Sequence, residues 1–373
     1  MTTVNINKWQ LYCLMMLFEI GSTTVFGLGI DAKQDAWIAI LVAMLFGFVL
    51  VLIYSEIQNH YRDKDFAEII STVFSKWLSI PLILIYALEF FWVSTLNFRE
   101  FGELVSMILL PATPLWVILT VFMLTSIYIL FLGVEVLARM GEIMFPIVIF
   151  FILSIIVFSI ISGEVDLTRL QPVLGSGPMP VFKAAVPAVV NFPFGEMVVF
   201  LMYWKYINDK KAVRKVALYV SLTIGLLLSS ILALMVAVLD VAYVVGSTIP
   251  IYEVIKLINI ADIITNLDAI ATVVMFIGGF FKMTIHFFGG VLAIKALFNA
   301  RNDKGIIIIS GIIWTVFSLT YYPNLIFHRW AGLKLSITYF YSGFTVLEIV
   351  CPLLILVAIL LKTKIQEKKM VEG

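Results

Sequence analysis

A lysine and several glutamates lie inside stretches of this chain that are otherwise apolar. Lys282 sits near the middle of a long hydrophobic run, with His286 one turn later and Gly278-Gly279 and Gly289-Gly290 around it. Glu19, Glu89, Glu100 and Glu348 lie in or beside similar runs, and Glu196 follows Asn191-Phe192-Pro193-Phe194-Gly195. A charge at bilayer depth is costly unless it is paired, wet or neutralised, so each such residue is a candidate for binding or proton transfer. Glu19, Glu89 and Lys282 form the candidate charge network. Glu348 reads more simply as a buried structural partner. Arg99, Glu100 and Glu103 read as a solvated interfacial cluster with a local Arg99–Glu103 pair at i,i+4.

The elements that position these groups are interrupted hydrophobic stretches. One runs from Trp9 to Ile30 and is broken by Gly21-Ser22-Thr23-Thr24 and again by Gly27-Leu28-Gly29. Another runs from Val181 to Trp204 and is broken at Asn191 to Glu196. A broken helix in lipid leaves N–H and C=O groups with no water to bond, and it survives where the bare backbone lines a protected cavity. Matching interruptions in two halves of a chain point to a transporter-type site at the bilayer midplane. Gly21, Ser22, Thr23, Thr24, Asn191, Phe192, Pro193, Phe194, Gly195 and Glu196 are therefore the candidate ligand-binding residues. The helical half expected to start near Thr23 and Thr24 would offer free N–H groups to a carboxylate. Glu196 would cap the second half of its helix or meet a ligand ammonium, so the pair of breaks suits a zwitterion. Phe90, Trp92, Phe192 and Phe194 are candidate pocket walls, although aromatics are common enough here for plain packing.

Composition sets the class. The chain of 373 residues is 62% hydrophobic and 13% charged, with 30 Phe, which no soluble domain of this size matches. Apolar runs of about twenty residues predict an all-α membrane protein of ten transmembrane helices. They fall at 9–30, 36–58, 77–100, 115–133, 144–162, 181–204, 214–239, 267–298, 306–323 and 340–361, with the third and eighth unusually long. Amphipathic segments at Phe66–Lys76 and Pro250–Asp262 precede spans three and eight. With the N-terminus in the cytoplasm, lysine and arginine favour the inner segments by about three to one, which predicts N-in and C-in; Lys33, Arg169, Lys183, Lys256, Arg329 and Lys334 fall outside. Five spans per half make the halves inverted, as one transmembrane domain over 1–373 with repeats at about 9–162 and 181–361. That arrangement resembles the amino acid–polyamine–organocation plan, the LeuT fold.

A net charge of +1 and the lack of a basic tract exclude nucleic acid as a partner. Cys13 and Cys351 read as small core residues with no metal-ligand spacing, so no metal or cofactor is expected. His60 and His328 fall in loops and carry no assignment. No nucleophile–base pair or phosphate loop is present, and Gly27-Leu28-Gly29 follows no strand, so an enzyme is not expected.

Local motifs extend the likeness. Asp35-Ala36-Trp37 opens span two, Arg139-Met140-Gly141-Glu142-Ile143-Met144-Phe145-Pro146 leads into span five, and Leu170-Gln171-Pro172-Val173-Leu174 with Gly177 and Pro180 precedes the break in span six. In these positions nearly the whole chain resembles the B subunit of the endospore germinant receptors, a spore-specific branch of the amino acid permease superfamily. The resemblance implies a receptor subunit for a small nutrient germinant, an amino acid, bound at the midplane between broken helices 1 and 6. It also implies the spore inner membrane, or a bacterial cell membrane, and signalling through partner A and C subunits. A proton-coupled amino acid transporter is the alternative. In the LeuT fold span eight packs on span one, where sodium-coupled members hold a cation. Lys282 is expected to replace that cation, with its partner near Glu19 and Gly21.

Overall fold

A computed structural model of the chain describes residues 5–259, 267–331 and 341–372. Asp262, Lys334 and Phe340, three positions named above, lie outside the described residues. The apolar runs become helices because helices alone satisfy backbone groups within one segment in lipid. Among the described residues, nine helices are long and apolar enough to cross a bilayer. Span one is the tenth and falls short of that length because its α-helix, Lys8–Ile20, stops at Gly21.

Spans two, three, four and five are Ala36–His60, Lys76–Ile108, Leu115–Leu132 and Val134–Ile161. Span six starts as Pro178–Ala184, continues as a π-helical stretch Ala185–Phe194 and tightens to a 3-10 helix Gly195–Met202. Spans seven, eight and nine are Ala212–Leu239, Asp268–Leu297 and Lys304–Tyr321. Span ten comprises Tyr341–Thr345, a π-helical Val346–Val350 and Cys351–Glu372. Short helices Phe66–Val73, Val241–Gly246, Pro250–Lys256 and Leu325–Arg329 lie between spans.

Span five begins ten residues before the start expected from hydropathy, so Arg139 to Pro146 lies inside it. These first turns bury Val134, Leu137 and Ala138, and the Glu135–Arg139 pair at 2.6 Å, i,i+4, lies on their outer side. The two longest spans, three and eight, have 33 and 30 residues, or about 50 and 45 Å at the α-helical rise. They pair along their length. Span eight allows this because Gly279, Gly289 and Gly290 present no side chain to the rings of Phe101, Phe90 and Phe91. Spans eight and six are the interior, with 83% and 78% of their apolar windows buried, whereas span nine has 17%.

Both ends of the bundle are tied shut. At one end Ile6 exchanges backbone bonds with the segment after span six, Ile6 N donating to Tyr206 O and Asn208 N to Ile6 O, each at 3.1 Å. Lys205 reaches Asp65 at 2.5 Å and Glu68 at 3.2 Å, the two residues that form the capping box of Phe66–Val73. Burial pulls the Lys205 ammonium down, but Asp65, Tyr206 and Glu68 together outweigh it and hold the group well above the ordinary lysine range. At the other end Arg329 and His328 converge on Glu100, His328 Nε2 lying 3.2 Å away. Arg99 grips Glu103 at 2.6 and 2.9 Å and donates to Ser318 O at 2.9 Å. The local Arg99–Glu103 pair is as expected. The solvated cluster is not, since Arg99, Glu100 and His328 are all buried. Leu325–Arg329 folds back onto span three and covers them.

Candidate functional site

The break in span one is made by small residues and hydroxyls. After Ile20 the chain takes one 3-10 turn, Ser22–Thr24, passes Gly27 and a left-handed Gly29, and enters a second 3-10 segment, Ile30–Asp35. No α-helix starts at Thr23, which corrects the expected second helical half. The carbonyls freed at the end of Lys8–Ile20 are taken by hydroxyls instead: Thr23 Oγ1 donates to Glu19 O and to Ile20 O, and Thr24 Oγ1 to Ile20 O. The helix end at this break is therefore the carbonyl end, and at the break in span six the Gly195 N–H stays bonded to Asn191 O and Val190 O. In span six the chain leaves helical geometry twice, at Val186 and at Phe192. Only the second lies in the expected window. Glu196 does not cap the following helix.

Span eight brings the two breaks together. Gly278 and Lys282 face Gly21 directly: a Cβ on Gly21 would stand 2.9 Å from both Cβ and Cδ of Lys282. The Lys282 side chain is fully buried, and its Nζ stands 2.5 Å from Glu196 Oε2, an ion-pair distance out of line for a regular hydrogen bond. The same ammonium lies over the rings of Phe192 at 4.4 Å and Phe18 at 5.2 Å. The cage of one carboxylate and two ring faces suits an ammonium by charge and by the aromatic quadrupole. Lys282 thus sits beside span one as expected, but its partner is Glu196 of span six. Glu19 is close enough to interact with both charges and pairs with neither, and both its carboxyl oxygens lack a hydrogen-bond donor among the described residues. His286 Nδ1 lies 3.1 Å from Lys282 O, and its ring packs on Phe18 at 4.9 Å.

Glu348 of span ten belongs to the same centre. Its Oε2 lies 2.5 Å from where a Cβ on Gly195 would be, so the glycine face at the break is covered by a carboxyl of this chain. Tyr54 donates to Gly195 O at 3.2 Å and to Glu348 O, and Tyr86 donates to Leu347 O at 2.7 Å. Glu89 interacts electrostatically with Glu196 and Glu348. Asn191 Nδ2 donates to Thr345 Oγ1 at 2.7 Å. Phe194 turns away and packs against Gly47 of span two. Ser22 and Pro193 are buried within the breaks. Phe90 packs on His286, while Trp92 faces Phe317 and Tyr321. The void beside the first break is apolar, lined by Ile20, Thr24, Ile152, Ile231, Ala271 and Met275, and lies on the side of spans five and seven, away from Lys282.

Residues that the sequence reading did not assign to the site are Phe18, Tyr54, Tyr86 and Glu348. Glu348 carried the same signal as Glu89, an acid in mid-span. The tyrosines and Phe18 carried none, because their roles come from contacts between separate helices. Arg329 joins from the far end: it bonds Glu100 and Thr248 O, and its guanidinium lies 5.4 Å from the Phe26 ring, which meets Phe192 edge-on at 6.3 Å.

Among solved structures the fold is similar to Mhp1, a nucleobase-cation-symport-1 family transporter in a closed conformation with bromovinylhydantoin bound. The TM-score is 0.65 at 14% identity, covering 86% of this chain and 73% of that one. It is also similar to MhsT in complex with L-phenylalanine, with a TM-score of 0.64 at 14% identity over 94% and 87%. The chain therefore has the LeuT fold, all-α with broken helices 1 and 6. A curated relative, "Spore germination protein KB" of Bacillus subtilis (strain 168), is 29% identical over 368 residues, 99% of this chain and 98% of its own length. Two of the segments that carry the likeness also touch: Leu174 N donates to Asp35 Oδ1 at 2.9 Å, and Gln34 Nε2 to Pro172 O at 3.0 Å. The family profile described as "Spore germination protein" matches residues 5–326, and the chain belongs to this spore germination permease family.

Proposed function

We propose that the chain is a germinant-receptor subunit that recognises a small nutrient, an amino acid, at a midplane site between the breaks of spans one and six. The observation that carries this reading is the convergence of both breaks on the buried Lys282–Glu196 pair. A receptor needs its ligand to bind one conformation better than another, and a caged charge pair between two interrupted helices is a centre whose arrangement a charged ligand can bias. L-phenylalanine in the neighbour MhsT supports an amino acid. The hydantoin in Mhp1 shows that the fold alone does not choose the ligand. In this reading 1–373 is one transmembrane domain with inverted repeats at about 9–162 and 181–361. Both termini are cytoplasmic, the membrane is the spore inner membrane, and A and C subunits carry the signal onward.

The test is an equilibrium binding screen of free amino acids against the purified chain in lipid nanodiscs. An amino acid bound by the parent chain and lost in Glu196→Gln and Gly195→Val supports the site. Binding untouched by both places the ligand elsewhere. A proton-coupled transporter is the second reading, favoured by the carboxyl-rich centre. Proton-driven uptake by this chain alone in proteoliposomes at transporter-like rates would select it.

A further inference from the structure

We propose that Glu19, Glu89, Glu196 and Glu348 together form a site for a ligand's ammonium group, which enters in exchange for a proton. This deepens the reading above and rests on it for the identity of the ligand as the nutrient.

The four carboxyls come from spans one, three, six and ten, and all are buried: Glu19 is 0% exposed, Glu348 2%, Glu89 7% and Glu196 8%. They are near enough to interact electrostatically, Glu348 with Glu89, Glu196 and Glu19, and Glu196 with Glu19 and Glu89. The cation facing them is Lys282, which forms its ion pair with Glu196 and lies near enough to act on Glu19 and Glu348. The other titratable groups packed here are the Tyr54 and Tyr86 phenols, the Cys351 thiol and His286. Both phenols donate to backbone carbonyls, and His286 Nδ1 lies against Lys282 O. Both oxygens of Glu19, Oε2 of Glu89 and Glu348, and Oδ1 of Asn191 lack a hydrogen-bond partner among the described residues, while Oε2 of Glu196 meets the Lys282 ammonium. Buried carboxyl oxygens left without a partner, at a depth where an uncompensated charge is costly, leave room for a cation from outside.

The chemistry of the centre selects an ammonium. Lys282 already displays the cage that an ammonium takes here, with a carboxylate at 2.5 Å and the faces of Phe18 and Phe192. Glu19, Glu89 and Glu348 make no ion pair with Lys282, and low dielectric penalises an unpaired carboxylate, so in the proposed site these three carry protons until a ligand cation arrives. When R–NH3+ arrives it donates N–H bonds to the free oxygens. The O–H bond of the carboxyl it meets breaks, the electron pair stays on oxygen, and the proton leaves to water. One cation enters and one leaves, so the net charge of the centre does not change. Ligands without an N–H cation, neutral sugars among them, do not fit this exchange.

Methylammonium is the probe, added to the full chain in nanodiscs while thermal unfolding is followed at pH 6 and pH 8. The expected result is a rise in the unfolding midpoint, with apparent affinity improving by about tenfold per pH unit while one proton leaves per ligand. Glu89→Gln and Glu348→Gln, each isosteric with a protonated carboxyl and so compatible with folding, should abolish the effect. Glu164→Gln in a surface loop should keep it. The proposal is overturned by no shift at either pH, by a shift independent of pH, by an equal shift in both glutamine variants, or by an equal shift with tetramethylammonium, which has no N–H. The amino acid screen separates this proposal from the one it rests on. Amino acid binding lost in Gly195→Val with no methylammonium effect overturns the carboxyl site alone. A pH-linked methylammonium effect with amino acid binding unchanged in Gly195→Val supports the ammonium site and removes the nutrient from the breaks.

Discussion

Replacing Lys282 by methionine keeps an unbranched stem, one atom shorter, to pack on Gly21 while removing the ammonium. Lys282 is 0% exposed and the Glu196 side chain 10%, so the change leaves an almost dry carboxyl without its cation. Breaking a buried pair from one side costs about 3–5 kcal/mol. Loss of the ring contacts with Phe18 and Phe192 adds about 0.5–2 kcal/mol each. Glu196 can recover part of the loss by taking up a proton. Glu196→Gln in the same background removes the stranded carboxyl altogether, so Lys282→Met/Glu196→Gln should be more stable than Lys282→Met. The coupling energy expected from the double-mutant cycle is about 1–3 kcal/mol. Reversible unfolding of the four proteins in one lipid composition measures it. The receptor response of Lys282→Met should be lost, and that of the parent chain should not require sodium, since a fixed ammonium already supplies a positive charge beside the break in span one. Additive costs within error, a full response from Lys282→Met, or a sodium requirement would each refute the argument.

Gly195→Ala should destabilise the chain by about 1–3 kcal/mol, because the new methyl would stand 2.5 Å from Glu348 Oε2; Glu348→Ala in the same background should restore most of the unfolding midpoint, and no rescue would show that the carboxyl is not the obstacle. Lys205→Met should weaken the tie between span six and Phe66–Val73. Since the folded state raises the Lys205 pKa, its stabilisation is complete below the ordinary lysine range and is lost only as pH rises through the higher folded value, so the difference between parent and variant should stay constant from pH 6 to 9. A difference that titrates within that window would contradict the assignment. Cysteines at Asn208 and Ser176 should label from opposite sides of the membrane, Asn208→Cys from the cytoplasm; the same side for both would break the ten-span topology.

The sequence by itself determined the class, the number of spans and the places where two of them break. The reason is local: each backbone group in lipid must be satisfied within its own helix, so apolar length and Gly or Pro interruptions are read directly from the chain. It also marked Lys282, Glu19, Glu89 and Glu196, because a charge in an apolar run is conspicuous wherever the run ends up. Span five escaped its true start because Glu135, Arg139 and Glu142 lower the hydropathy of first turns whose apolar side, Val134, Leu137 and Ala138, is buried by packing. Only the tertiary structure decided the pairings. Lys282 meets Glu196 and not Glu19 because span eight presents it to the second break. Glu348 reaches the site because Gly195 leaves room for its carboxyl, and His328 and Arg329 leave their loop to cover Glu100. These contacts join residues far apart in the chain, on helices whose relative rotation no local pattern records, and the centre of the molecule is built from them.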